Sequence, residues 1–105
     1  MLEIRQTLEF ERRLRGSRDR QGRARILDRI ERVRGGNMGD ANPVGGGVSE
    51  LRMPFGPGYR VYFARRGDVV ILLLIGGDKD SQVRDIATAK ALLSREEQED
   101  GDQGV

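Results

Sequence analysis

Seven consecutive apolar residues, Val69 to Ile75, stand between Arg66-Gly67-Asp68 and Gly76-Gly77. The run is far short of the ~20 apolar residues that a membrane-crossing helix needs. Bounded by turn residues on both sides, it reads as a strand covered on both faces. A chain that contains such a strand must place it inside a sheet, between neighbours, and must supply one layer of packing for each face.

The segments before the run supply the neighbours. In VSELRMPF, Ser49, Leu51, Met53 and Phe55 fall on one face and Val48, Glu50 and Arg52 on the other; in YRVYF, Tyr59, Val61 and Phe63 oppose Arg60 and Tyr62. Gly56-Pro57-Gly58 and Arg66-Gly67-Asp68 join these segments into a three-stranded antiparallel meander. Helical spacing supplies the layers. Thr7 can cap a first helix with Phe10 and Leu14 one turn apart, and Gly16-Ser17 ends it. From Asp19 to Arg34, Ile26, Leu27, Ile30 and Val33 recur at helical spacing until Gly35-Gly36-Asn37. A final helix, capped by Asp80 or Ser81, offers Val83, Ile86, Ala87 and Leu93.

LEIRQT at the start alternates as a short strand, and residues 35–47, with six glycines, one proline and two asparagines, read as a loop. The predicted order is β-α-α-β-β-β-α, an α+β fold in which two N-terminal helices pack on a meander with a buried central strand. The folded body is expected at residues 1–94. The stretch 95–105, REEQEDGDQGV, has no apolar anchor and is expected to be a disordered acidic tail.

Charge divides the same way. Residues 1–94 carry 18 Lys and Arg against 12 Asp and Glu, whereas residues 95–105 carry one Arg against five acids. Of the 19 cations 17 are arginine, whose planar fork grips phosphate in two places and stacks on bases; the same arginines also suit solvated helix faces. With no cysteine there is neither a disulfide nor a thiolate metal site, and with no histidine any acid–base chemistry falls to Arg, Lys, Tyr, Asp or Glu. No signal-peptide pattern opens the chain, so a soluble cytoplasmic protein without a cofactor is expected.

Three groups of residues can carry chemistry. Arg52 and Arg60 project from adjacent strands and share a face if the turn sets the usual register. Two guanidinium groups meeting on a sheet repel unless an anion stands between them; that anion is either a bound phosphate or Glu50 in a salt bridge. In Gly76-Gly77-Asp78-Lys79-Asp80-Ser81-Gln82 a buried strand opens through glycines into a helix start, a place where a ligand can approach the backbone and where free N–H groups favour an anion. A purely structural turn explains the same glycines, and the spacing is not that of a P-loop. Arg20, Arg23, Arg25, Arg29, Arg32 and Arg34 can contact a nucleic-acid backbone from the second helix, or pair with Asp28 and Glu31 one turn away. Asp78 and Asp80 lack further ligands of clear spacing, so no metal site is assigned.

Taken together, GNMGDANPVGGGVSELRMPFGPGYRVYF, ILLLIGGDKDSQ and DIATAKAL resemble the phage-derived HigB-like addiction-module killer proteins of the RelE/ParE toxin superfamily, over most of residues 1–94. The resemblance implies a compact RelE-like fold and a toxin that cleaves messenger RNA in the ribosomal A site without a metal, restrained by a cognate antitoxin that covers or distorts its basic site. It implies Arg60 at the scissile phosphate, Arg52 in support, Lys79 as acid or electrostatic stabiliser, Tyr62 stacking on a base and Asp78 orienting Lys79. Arg65, Arg66 and Arg34 are expected as further RNA contacts. Two departures from RelE are visible: Glu50 replaces a second basic residue in its strand, and the last helix has no tyrosine. Rival readings are a ParE-like inhibitor of DNA gyrase without nuclease activity, which shares the fold, and an inactive RNA-binding relative.

Overall fold

In chain order the protein forms β1 (Glu3–Gln6), α1 (Leu8–Arg15), α2 (Arg20–Arg34), β2 (Ala41–Gly45), β3 (Val48–Arg52), β4 (Arg60–Arg66), β5 (Val70–Gly77) and α3 (Gln82–Gln103). This is a computed structural model that describes residues 1–103. The five strands make one mixed sheet in the order β1-β5-β4-β3-β2, with β1 parallel to β5 and every other pair antiparallel. The apolar run thus sits between two neighbours, as its composition demands, while β4 holds the geometric centre.

Each face of the sheet carries its own core. Phe10 of α1 and Ile26, Ile30 and Val33 of α2 pack on Leu51, Met53, Val61, Phe63, Ile71 and Leu73. Ala89, Leu92 and Leu93 of α3 cover Val48, Tyr62, Ala64, Leu72, Leu74 and Ile75 on the other side. Between β4 and β5 the strand alternation is interrupted: Tyr62 pairs with Ile75 but Phe63 with Leu73, so β5 holds one residue more than β4 at this point. The bulge puts Leu74 and Ile75 on the same face and re-aims the two glycines that follow.

Local chemistry fixes the helix starts. The Thr7 hydroxyl accepts from Phe10 N at 3.0 Å and donates to the Leu74 carbonyl at 2.7 Å, so one buried side chain caps α1 and ties it to β5. Asp19 caps α2 by accepting from Gly22 N at 2.9 Å. The faces of the helices differ in detail from the sequence reading. Leu27 is half exposed and Val83 almost fully exposed; α3 instead turns Asp85, Ala89, Leu92 and Leu93 inward, because Asp85 finds polar partners in the interior.

Two expectations are corrected. The glycine-rich segment 35–47 contains a strand: β2 pairs with β3 from Ala41↔Leu51 to Gly45↔Val48. Gly45, Gly46 and Gly47 all have positive φ, which makes a tight hairpin turn from residues that a periodicity argument counts as loop. Pro43 is tolerated because β2 is an edge strand and one side of it needs no donor. The second correction concerns the tail expected to be disordered from residue 95. Helix α3 continues through it to Gln103, since its glutamates are good helix formers, and Arg95 reaches Glu9 of α1, with Nη2 at 3.2 Å from Oε1. Residues 104–105 lie outside the described residues. No helix among the described residues is long and apolar enough to cross a membrane.

Candidate functional site

The turn between β3 and β4 brings the predicted pair together. Gly58 N donates to the Phe55 carbonyl at 3.1 Å and Met53 N to the Tyr59 carbonyl at 2.9 Å, closing the hairpin in the register that sets Arg52 opposite Arg60 and Glu50 opposite Tyr62. The anion between the two arginines is Glu50. Its carboxylate is fully buried, accepts from Arg52 Nε at 2.6 Å and from Gln82 Nε2 at 2.8 Å, and lies 3.7 Å from Arg60 Nε. Arg60 also donates through Nη1 to the Gly58 carbonyl. The Glu50 contact holds the Arg52 guanidinium above its ordinary pKa. Of the two sequence readings of this pair, the salt bridge through Glu50 is the one present.

Their exposures separate the two arginines. The Arg52 side chain is 49% accessible and that of Arg60 11%, so Arg60 is held rigidly at the wall and Arg52 is free to reorient its outer nitrogens. Lys79 joins them at Gly58. A Cβ on Gly58, whose φ is +75°, would stand 3.1 Å from Arg60 Nη1 and 3.2 Å from Lys79 Cβ. Glycine here lets Lys79, on the loop after β5, close on the arginine. Lys79 N approaches the Pro57 carbonyl at 3.4 Å, and the residue itself is exposed.

Asp78 and Tyr62 lie in settings other than those the resemblance implies. Asp78 Oδ1 accepts from Asp80 N and Ser81 N, each at 3.0 Å, so its carboxylate shapes the turn into α3; among the described residues it makes no ion pair with Lys79. Tyr62 is fully buried between β4 and α3, which puts its ring out of reach of a base. Burial, with the charges of Glu50 and Asp85 nearby, raises its phenol far above the ordinary range and keeps it protonated.

The three RNA contacts expected elsewhere are not part of this cluster. Arg65 and Arg66 pair with Ile71 and Val70 at the opposite end of β4 from Arg60, about 20 Å away at ~3.3 Å per residue. Arg34 lies at that same end, its carbonyl accepting from Leu2 N at 2.8 Å and its Nε 3.3 Å from Glu31.

Sequence reasoning missed Arg13 and Asp85. Arg13 Nη1 donates to the Gly76 carbonyl at 2.8 Å and to Asp85 Oδ1 at 2.9 Å, with Asp85 wholly buried and also bonded by the Ser81 hydroxyl. A Cβ on Gly77 would overlap the Asp85 carboxylate. Gly77, at the end of β5, therefore admits the chain's own carboxylate, which is the structural one of the two explanations that glycine allowed. No local signal marks this pair, whose members are 72 residues apart. Arg13, Arg60, Tyr59, Gly77 and Asp78, with Phe10 at the floor, line a groove of about 320 Å³. Tyr59 is fixed at its rim by a 2.6 Å bond to Asp19; that bond raises the phenol to about 12 and lowers the Asp19 carboxyl.

Such an arrangement can grip an anion: the nearly buried Arg60 guanidinium lines a partly apolar groove together with Arg13, and Arg52 faces Arg60 across the hairpin on the same buried carboxylate. Among the described residues no three Asp or Glu side chains come together in a way that holds a metal ion.

An uncharacterized protein of Haemophilus influenzae (strain ATCC 51907 / DSM 11121 / KW20 / Rd) is 42% identical over 91 residues, spanning 87% of this chain and 92% of the relative. The chain belongs to the family of that protein. No protein-family model matches it. The shared length takes in nearly the whole fold, so the relative is expected to repeat the same two-faced sheet, and its description leaves the activity to be argued from the site.

Proposed function

We propose that the protein is the toxin of a type II toxin–antitoxin pair, with a RelE-like fold, acting as a metal-independent endoribonuclease on messenger RNA at the ribosome. The observation that carries the reading is the meeting of Arg60 and Arg52 on the buried Glu50, with Lys79 packed beside the neighbouring Gly58, in a protein with no histidine. Cleavage of RNA by internal transesterification needs little covalent chemistry from the protein. The ribose 2′-oxygen forms a bond to the adjacent phosphorus, its proton passes to water, and the bond from phosphorus to the 5′-oxygen breaks, leaving a cyclic phosphate and a free 5′-hydroxyl.

Charge builds on the phosphate oxygens during that step. Arg60, already desolvated and held by Glu50 and Gly58, is placed to stabilise it without reorganising. Arg52 supports the same oxygens from the facing strand. Lys79 gives a proton to the departing 5′-oxygen. Arg13 extends the positive wall along the groove. A cognate antitoxin with an acidic or helical segment is the natural restraint for such a surface.

The test is induced expression of the wild type beside an Arg60→Ala, Lys79→Ala double variant, with mapping of mRNA 5′ ends on translating ribosomes and a thermal melt to show that the variant folds. Cleavage within codons by the wild type alone is the expected result. Growth arrest with no new ends would move the reading to inhibition of DNA gyrase, and no arrest at all to an inactive relative.

A further inference from the structure

A second groove, of about 370 Å³, lies between α2 and the chain that leaves β3. Four arginines line it, Arg25, Arg29 and Arg32 from α2 and Arg52 from β3, with Asp28 the one carboxylate among the lining residues. Asp28 forms no ion pair with any of them. Arg29 is spent internally, on the carbonyls of Asn37, at 3.3 Å, and Met38, and desolvation together with the charge of Arg32 lowers its pKa. Arg25 stacks its guanidinium 4.9 Å above the Phe55 ring, and Arg32 is exposed with no carboxylate partner among the described residues. Like charges converge here: Arg52 is held by Glu50, while among the described residues neither Arg25 nor Arg32 forms an ion pair.

Phe55 connects this groove to the first. Its ring lies 5.8 Å from that of Tyr59, and Tyr59 lines the groove of Arg60. Likewise Arg52, in the second groove, is the cross-strand partner of Arg60, in the first. We infer that the second groove holds single-stranded RNA beyond the reacting phosphate: Arg25 and Arg32 take backbone phosphates, and Phe55 with Arg25 takes one base, while Arg52 stands between this groove and the reacting phosphate. Forked guanidinium groups beside an aromatic face are the combination that tracks a single strand without reading its sequence. The inference rests on the nuclease reading for its substrate, but binding in this groove needs no chemistry.

That independence shapes the experiment. The probe is a fluorescein-labelled RNA of about 12 nucleotides, long enough for a single-strand site, fully 2′-O-methylated so that it cannot be cleaved, titrated by anisotropy across a range of salt. An Arg25→Gln, Arg32→Gln variant of the full chain is expected to bind about tenfold more weakly at low salt and to flatten the salt slope by about 1.4, near 0.7 for each single-strand phosphate lost. Phe55→Leu, which keeps the apolar packing, is expected to weaken binding about fivefold with the slope unchanged, as loss of stacking does. Wild-type affinity and slope in the double variant overturn the inference, and loss of polyglutamate binding in that same variant would assign the groove to an acidic polypeptide. If the wild type binds the methylated probe through these residues yet leaves unmodified mRNA intact on ribosomes, the nuclease reading fails and the groove stands.

Discussion

The two ends of β4 carry similar residues in different settings. At one end Arg60 is nearly buried, beside Glu50 and the Gly58 carbonyl, opposite Arg52 and at the edge of a groove. At the other, Arg65 is exposed beside the Gly67 turn and Arg34 pairs with Glu31 on a helix surface. A charge in water is screened and mobile, whereas a desolvated charge held by fixed dipoles acts strongly on whatever anion reaches it. Arginine content alone therefore says little about which arginine works.

Breaking the contrast at its strongest point, the Arg60→Ala, Lys79→Ala variant is expected to lose at least about 100-fold of cleavage rate, the scale of removing placed transition-state donors. An Arg34→Ala, Arg65→Ala variant is expected to lose less than about threefold. Equal losses would show that the distant end takes part in the reaction.

Stability should follow the same contrast. Glu50→Ala leaves Arg60 desolvated beside no counter-charge and is expected to cost about 3 kcal/mol in urea unfolding, while Glu31→Ala, which breaks an exposed pair, is expected to cost less than about 0.5 kcal/mol. Thr7→Ala falls between them, at about 1–2 kcal/mol, because it removes a helix cap and a buried hydrogen bond to β5 together.

The smallest effect is one of pH. Tyr59 has its folded pKa raised to about 12, so its contribution is whole below its unfolded value near ~10 and is lost as pH rises from there to about 12. Asp19, its partner, is lowered from 3.8, so its contribution is present above that value and lost as pH falls below it. Melting temperature measured against pH should show both edges, and Tyr59→Phe should shrink the alkaline one to the part that the buried Tyr62, whose phenol is also raised, carries; an alkaline edge of unchanged size would show that Tyr59 has no share in it.

Periodicity was enough to place α1, α2 and the meander, because their patterns are local and their stops, Gly16-Ser17, Gly35-Gly36 and Gly56-Pro57-Gly58, act within a turn or two. The strand β2 was illegible because its residues are glycine and proline, whose strand character comes from pairing with β3. The acidic end of α3 misled in the same manner: it lacks an apolar anchor, yet intrinsic propensity continues a helix already begun. Within the site, the facing of Arg52 and Arg60 followed from strand alternation. Tyr62 and Arg60 share that alternation but not their fate, since the one lies under α3 and the other at its margin.

By itself, then, the sequence determined a two-layered α+β chain around one strand covered on both sides, with an arginine-rich body and a hairpin that sets two arginines opposite each other. These follow from spacing and from turn chemistry, which act over a few residues. Only the tertiary structure decided that Glu50 fills the space between those arginines, that Asp85 occupies the room left by Gly77, and that Arg13 reaches across to hold it. Burial and pairing between residues tens of positions apart depend on which faces meet, and that is settled when the sheet and its helices close on one another.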